Sequence, residues 1–519
     1  MGTLRSDLAA GADEVRETHI SWVFLGQGEV YKVKKPVTLP FLDFASLAAR
    51  EAACEAEVRL NRRLAPDVYR GVVPVRRDRE GRHRIGGEGQ VVDYAVRMRR
   101  LADHDRADAR LARGELTVAD LDRVAAHIAR FHAGARCDAE TGRFGRPEAI
   151  AVNVRENFAE TRGVLETLLT PHEARELERW QHELLERCED RLHARIERGR
   201  IRDGHGDLRL EHVYLEGERV LIIDCIEFND RFRYADVCAD LAFLSMDLAW
   251  HGRLDLAERA LATYAQATSD YDLYPLVDFY ESYRATVRGK VSMLLAVDED
   301  APLPLRERAR NDARRYFRLA LAAEQRPMVA PRVVAIGGVI ASGKSTLADR
   351  LGLAMGAPAI NTDRIRKHLL GARPTEKLYE GAFAGAYDPA FTEAVYAEVG
   401  RAAEAVIASG RAVILDASFR TRAMRAEARA LAARRNVAFL FLECRCDPEL
   451  SRARLREREG RESVSDGRLA IFDDFLREWE PVSELSAEEH LVVDTGRPIE
   501  ELLDALSGRL PMWPVTSSA

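Results

Sequence analysis

One stretch constrains this chain more than any other: GGVIASGKS, from Gly337 to Ser345. It satisfies G-x-x-x-x-G-K-[ST] from Gly338 onward, with the apolar run 333–336 ahead of it and a helical pattern, 346–353, behind it. A strand that passes through such a loop into a helix builds a phosphate cradle. Glycine lets successive backbone N–H groups turn inward around an anion, and the new helix adds the positive end of its dipole. The expected cradle is Gly338, Val339, Ile340, Ala341, Ser342, Gly343, Lys344, Ser345 and Thr346. Lys344 supplies a mobile cation for the β/γ-phosphates of ATP, and Ser345 a hydroxyl for Mg2+.

The remainder of this half alternates strand and helix. Short apolar runs at 333–336, 359–360, 412–415, 437–442 and 491–493 are separated by helical patterns. That alternation predicts an α/β unit, a parallel sheet with helices on both faces. The run 412–415 closes on Asp416, which can hold the hydration shell of the magnesium ion or cap a following helix. The second short strand leads into Asn361-Thr362-Asp363. Ligands sit at the carboxyl ends of parallel strands. Asp363 is therefore read as the base that takes a proton from an acceptor hydroxyl, with a helix cap as the compatible alternative. Arg454 and Arg458, four apart on one helix face, can close over phosphates as a lid and neutralise charge in the transition state.

Together these motifs resemble the P-loop kinases with a short lid, among them polynucleotide 5′-hydroxyl kinases, zeta toxins and gluconate kinase, over about residues 331–510. NTDRIRKHL and VILDASF look like the acids after the second and third strands of that group, and RARLRER with Ser465-Asp466 like its lid. The resemblance implies Asp363 as base and Arg366 as a substrate contact.

The first half reads differently. A strand at 19–25, a Gly26-Gln27-Gly28 turn and a return strand at 29–34 begin it, followed by a helix at 45–64 and strands at 72–75 and 91–98. Long Glu/Arg-rich helical patterns then occupy 120–131, 152–169 and 171–198. They are interrupted by HGDLRLEH, from His205 to His212, and by a short hairpin that ends in IIDCIEF. An Asp in a loop, a metal ligand five residues on and a second Asp after a hairpin make a phosphoryl-transfer site. These residues resemble the aminoglycoside phosphotransferase family over about 15–322, which implies an α+β, two-lobed, protein-kinase-like domain. The resemblance makes Asp207 the base and Asp224 a metal ligand. His212 stands where the family's HGDxxxxN has Asn, so its imidazole replaces an oxygen ligand of the metal. Lys32 would hold the α/β-phosphates with Glu57 as its partner, and Lys34 and Glu55 remain alternatives. Residues 96–101 would form the hinge against adenine. Asp236 and Asp240 are expected to be structural, bracing the loop or capping a helix.

The expected organisation is a kinase-like domain at 1–324 (lobes about 15–101 and 102–324), a linker at 325–332, QRPMVAPR, and a P-loop domain at 333–519. A net charge of −7 over 519 residues argues against sequence-independent nucleic-acid binding, which needs a basic stripe. A small-molecule hydroxyl acceptor is the expected partner, with a nucleic-acid 5′ end as the alternative. The seven scattered cysteines fit reduced thiols in a cytoplasm. No secretory h-region opens the sequence, and no uncharged run approaches the ~18 residues of a membrane span.

Overall fold

Residues 21–25 and 29–34 alternate apolar side chains on a β-branched, aromatic background, and they pair antiparallel across the Gly26–Gly28 turn. The computed structural model, which describes residues 3–39, 42–299, 301–323, 329–379, 381 and 383–513, places them inside a six-stranded sheet. Its order is Glu14–Glu17, Ser21–Leu25, Glu29–Lys34, Gln90–Arg99, Tyr69–Arg77, His83–Ile85. Nothing in EVRE announces its strand. It is a charged edge strand, of the kind that discourages further pairing.

The helix Leu47–Asn61 lies on this sheet, as does the short helix Leu4–Ala9, whose Leu8 packs with Phe24, Val33 and Val75. Ser46, the N-cap of Leu47–Asn61, accepts the Ala49 N–H. Cys54 and Val58 pack with Val30, Tyr69 and Val96, and the same buried face carries Glu57. A carboxylate on an apolar face must find a cation or lose its charge. Beyond the sheet the chain is helical: a short helix, Ala107–Ala112, precedes Val118–Gly134, which starts behind a Thr117–Asp120 capping box. The helix expected at 171–198 is two, Pro171–Arg187 and Glu189–Glu197, broken at Cys188. The break turns Leu192 and Arg195 into the interior, where Arg195 meets Asp236. Two small ladders frame the loops that follow. Ile201–Asp203 pairs with Tyr234–Asp236, and Val213–Glu216 with Arg219–Ile222.

The second sheet is wholly parallel, in the order Ala359–Asn361, Val413–Asp416, Arg332–Gly337, Ala438–Arg445, His490–Asp494. All five strands were legible as apolar runs; the three central ones are covered on both faces and have no polar alternation. The helix Lys344–Met355 packs Leu347, Ala348 and Leu351 onto Val334, Ile336 and Ile414.

By packing, the described residues fall into two compact units: Met1–Leu248 with Tyr283–Phe317, and Ala249–Ser282 with Arg318–Ala519. Within the second unit Arg411 is held 2.9 Å from both Glu258 and Asp278, and the Tyr271 hydroxyl donates to the Ala359 carbonyl at 3.2 Å. Of the expected linker, residues 325–328 lie outside the described residues. Among the described residues no helix is long and apolar enough to cross a membrane.

Candidate active sites

In the first unit two lysines of one strand face converge on one acid. Lys32 Nζ lies 2.9 Å from Glu57 Oε1 and 2.5 Å from Asp224 Oδ1. Lys34 pairs with the other Glu57 oxygen and with Glu227. Glu55 is exposed, so Glu57 is the acid that the lysines meet. Burial would drive the proton off Lys32, but Asp224 and Glu57 override it and hold the ammonium well above its usual range. Sequence reasoning passes over Glu227. Its signal is a second acid three residues after Asp224, matching a second lysine two residues after Lys32. Burial pushes the Glu227 carboxyl up, against the pull of Lys34.

The loop 205–212 is clamped from behind. Asp240 accepts the N–H groups of His205 and Gly206 at 2.6 and 2.8 Å and meets His132 Nε2 at 3.2 Å. Asp236 binds Arg195 and accepts the Cys238 N–H at 2.8 Å. Asp240 braces the loop, whereas Asp236 caps the head of the helix Val237–Trp250. His205 is 1% exposed, and burial pushes its imidazole down to about 4.

At the front of the loop Arg209 donates to both oxygens of Asp207, at 2.9 Å each. Burial alone would raise the Asp207 carboxyl, but Arg209 reverses this and holds it far below the usual range. The sequence reading passes over Arg209, since a single arginine in HGDLRLEH has no distinguishing spacing. His212 Nδ1 lies 2.8 Å from the Asp207 carbonyl. A carbonyl only accepts, so Nδ1 carries the hydrogen and Nε2 points away. Nε2 stands 3.7 Å from Asp224 Oδ2. Asp224 itself adopts a left-handed backbone, φ 64°, with its N–H donated to the Tyr69 hydroxyl at 3.2 Å. His212 thus lies between Asp207 and Asp224, 3.7 Å from a carboxylate oxygen of each, and Lys32 sits on Asp224.

In the second unit the phosphate loop has the backbone that its glycines predict. Gly338 and Gly343 take φ 145° and 87°. A Cβ on Gly338 would stand 2.5 Å from the Cys444 carbonyl, and one on Gly343 3.1 Å from the Thr495 side chain. Lys344 Nζ bonds the Val339 carbonyl at 2.7 Å, and burial lowers its proton affinity. Ser345 and Thr346 are exposed at the head of the helix. Ser342 Oγ is buried without a partner, which fits a loop shaped to receive oxygen anions.

Neither candidate acid is a helix cap. Asn361 caps Thr362–Leu369, accepting the Arg364 N–H at 3.0 Å, and Thr421 caps Arg422–Arg434. Asp416 is 4% exposed and accepts from Asn361 Nδ2 at 2.6 Å. Both Asp416 and Asp363 are close enough to Lys344 to act on its charge. Asp363 faces Tyr387, whose hydroxyl stands 3.2 Å from Asp363 Oδ1 and 2.8 Å from Asp466 Oδ2. Burial raises the Asp363 carboxyl. Asp466, 2% exposed, also meets the fully buried Lys367 at 3.2 Å. Tyr387 is an addition that no motif marked, since it joins Asp363 only through the fold; Lys367 lies in NTDRIRKHL, where the motif gives it no role.

Arg366, expected to touch substrate, is placed otherwise. It is 4% exposed, stacks on the Tyr387 ring at 4.3 Å and bonds the Ala386 carbonyl. It positions Tyr387 from behind. Of the expected lid arginines, Arg454 donates to the Thr495 and Ala341 carbonyls at 2.7 and 3.3 Å, so it rests on the phosphate loop. Arg458 lies close enough to oppose the charge on Lys344.

The family model described as "Phosphotransferase enzyme family" matches residues 30–280, and the one described as "AAA domain" matches 333–482. Rv2004c of Mycobacterium tuberculosis (strain ATCC 25618 / H37Rv), an uncharacterized protein, is 34% identical over 460 residues, 88% of each chain. Mb2027c of Mycobacterium bovis, also uncharacterized, matches to the same extent. Among solved structures, a gluconokinase from Sinorhizobium meliloti 1021 is 21% identical and covers 36% of this chain and 93% of its own, with a TM-score of 0.25. A choline/ethanolamine kinase family protein from Mesorhizobium loti is 15% identical over 62% of this chain and 97% of its own, with a TM-score of 0.33.

Proposed function

Because this chain belongs to one family with Rv2004c and its mycobacterial counterpart, and joins a kinase-like phosphotransferase domain to a P-loop kinase-like domain, we propose that it is an ATP-dependent tandem kinase. Each unit moves the γ-phosphoryl group of ATP to a hydroxyl of a small-molecule acceptor. The observation that carries this reading is the phosphate loop itself, with Gly338 and Gly343 at positive φ and Lys344 bonded to the Val339 carbonyl at 2.7 Å.

ATP with its magnesium ion supplies the transferable group. The residues of the second unit do the rest. Loop amides from Gly338 to Ser345 hold the phosphates, and Lys344 leaves the Val339 carbonyl to meet them. Ser345 and Asp416 hold the metal's ligand shell. Asp363 takes the acceptor's proton, since its raised proton affinity makes it a stronger base than an open carboxylate. Arg458 balances charge in the transition state. In the first unit Asp207 is the corresponding base, Asp224 and His212 hold the metal, and Lys32 holds phosphate.

One observation favours a second reading of the first unit. The pairing of both Asp207 oxygens with Arg209 supports a unit that binds nucleotide and regulates its neighbour without turnover. Labelled ATP offered with a hydroxyl-compound library and a 5′-hydroxyl oligonucleotide tests all readings. Transfer to a small molecule that survives Asp207→Asn but not Asp363→Asn supports the second reading. Loss of part of the transfer in each variant supports the tandem kinase. Transfer to the oligonucleotide alone would make the second unit an end kinase. Absence of any transfer would overturn the proposal.

A further inference from the structure

The residues that would hold a nucleotide's metal in the first unit include an imidazole, His212. His212 donates through Nδ1 to the Asp207 carbonyl, 2.8 Å away. That bond fixes the ring and leaves the Nε2 lone pair facing two carboxylates, Asp224 and, at 3.8 Å, Glu211. Nε2 is 3.7 Å from Asp224 Oδ2, too far for a hydrogen bond. Lys32 sits on the other Asp224 oxygen, Oδ1, so Oδ2 is the oxygen left to face the imidazole.

An amide oxygen at position 212 would suit magnesium, a hard ion that prefers oxygen donors. An imidazole nitrogen favours a transition ion, and divalent affinity for nitrogen rises along the first row from manganese. The rest of the set, one carboxylate and phosphate oxygens, favours an ion that keeps octahedral oxygen coordination. We infer that the first unit takes its nucleotide with a first-row divalent transition ion of the manganese type, bound by His212 Nε2 and Asp224 Oδ2, and that His212 selects this ion over magnesium. The inference rests on the first unit being a nucleotide site.

The full-length Lys344→Ala protein, in which the second unit's cradle has lost its lysine, isolates the question. Calorimetry with ATP in MnCl2 or MgCl2 measures the preference. Pulsed EPR of the Mn2+–ATP complex reads imidazole nitrogen coupling directly. The expected result is roughly tenfold tighter uptake with manganese, with nitrogen coupling present. Adding His212→Asn should abolish the coupling and bring the two affinities together. Equal uptake with both ions and no nitrogen coupling would overturn the inference while leaving the nucleotide site standing. No uptake with either ion would overturn that site, and the inference with it.

Discussion

Arg209 grips Asp207 through both nitrogens of its fork, Nε to Oδ1 and Nη2 to Oδ2, each at 2.9 Å. The proposed base of the first unit is thus also one half of an ion pair. A carboxylate held in this way keeps its charge but is weak at taking a proton. Arg209 is 8% exposed, so the pair is shielded from the salt that screens surface charges. Arg209→Gln should let the acid limb of the first unit's kcat/KM profile rise toward pH 4, the ordinary range of an aspartate. Its rate near neutrality should not fall, and a pH–rate profile reads both.

Lys344 makes its bond to a loop carbonyl, Val339, and not to a distant element. Lys344→Ala should therefore remove the second unit's transfer by about a hundredfold or more with little change in melting temperature. Calorimetric melts beside single-turnover assays measure the two effects separately. If the first unit's activity vanished as well without unfolding, the two sites would be coupled.

Tyr387 stands between two carboxylates, Asp363 and Asp466, with one hydroxyl proton to share. Tyr387→Phe keeps the ring on which Arg366 stacks and removes only that donor. The Asp363 carboxyl, already raised by burial, should rise further. A base is inactive when protonated, so activity should be lost at a higher pH as the solution is acidified. The acid limb of the second unit's profile moves up, and the neutral rate falls by about tenfold.

His205 is buried neutral at the head of the catalytic loop, its imidazole lowered from 6.5 to about 4. In the unfolded chain it protonates near 6.5, while the folded chain resists until about 4. The unfolded state therefore binds the extra proton in that window, and stability falls as pH drops through it. Urea denaturation of the full chain at pH 7, 5.5 and 4.5 should give midpoints that decline in that order, and His205→Asn should flatten the decline.

The sequence by itself determined the elements and the chemistry that lies within single elements. GGVIASGKS fixed the phosphate loop because its physics is local: backbone φ, a helix dipole and one lysine. Five apolar runs fixed the parallel sheet, whose three central strands are covered on both faces and have no polar alternation. Lys32 and Lys34 were placed on one face by the two-residue period of a strand, and that period holds whatever the rest of the chain does. Tertiary structure alone decided the partners. Glu57 over Glu55 followed from which helix face met the sheet. Glu227 and Lys34, 193 positions apart, paired because both are buried and neither charge could stay unpaired. Arg366 turned inward onto Tyr387, and Asp466 joined Asp363 through that same ring. A pattern of short period encodes direction along a strand or helix, but the distance between two elements is set only when their cores close, and ion pairs are chosen at that step.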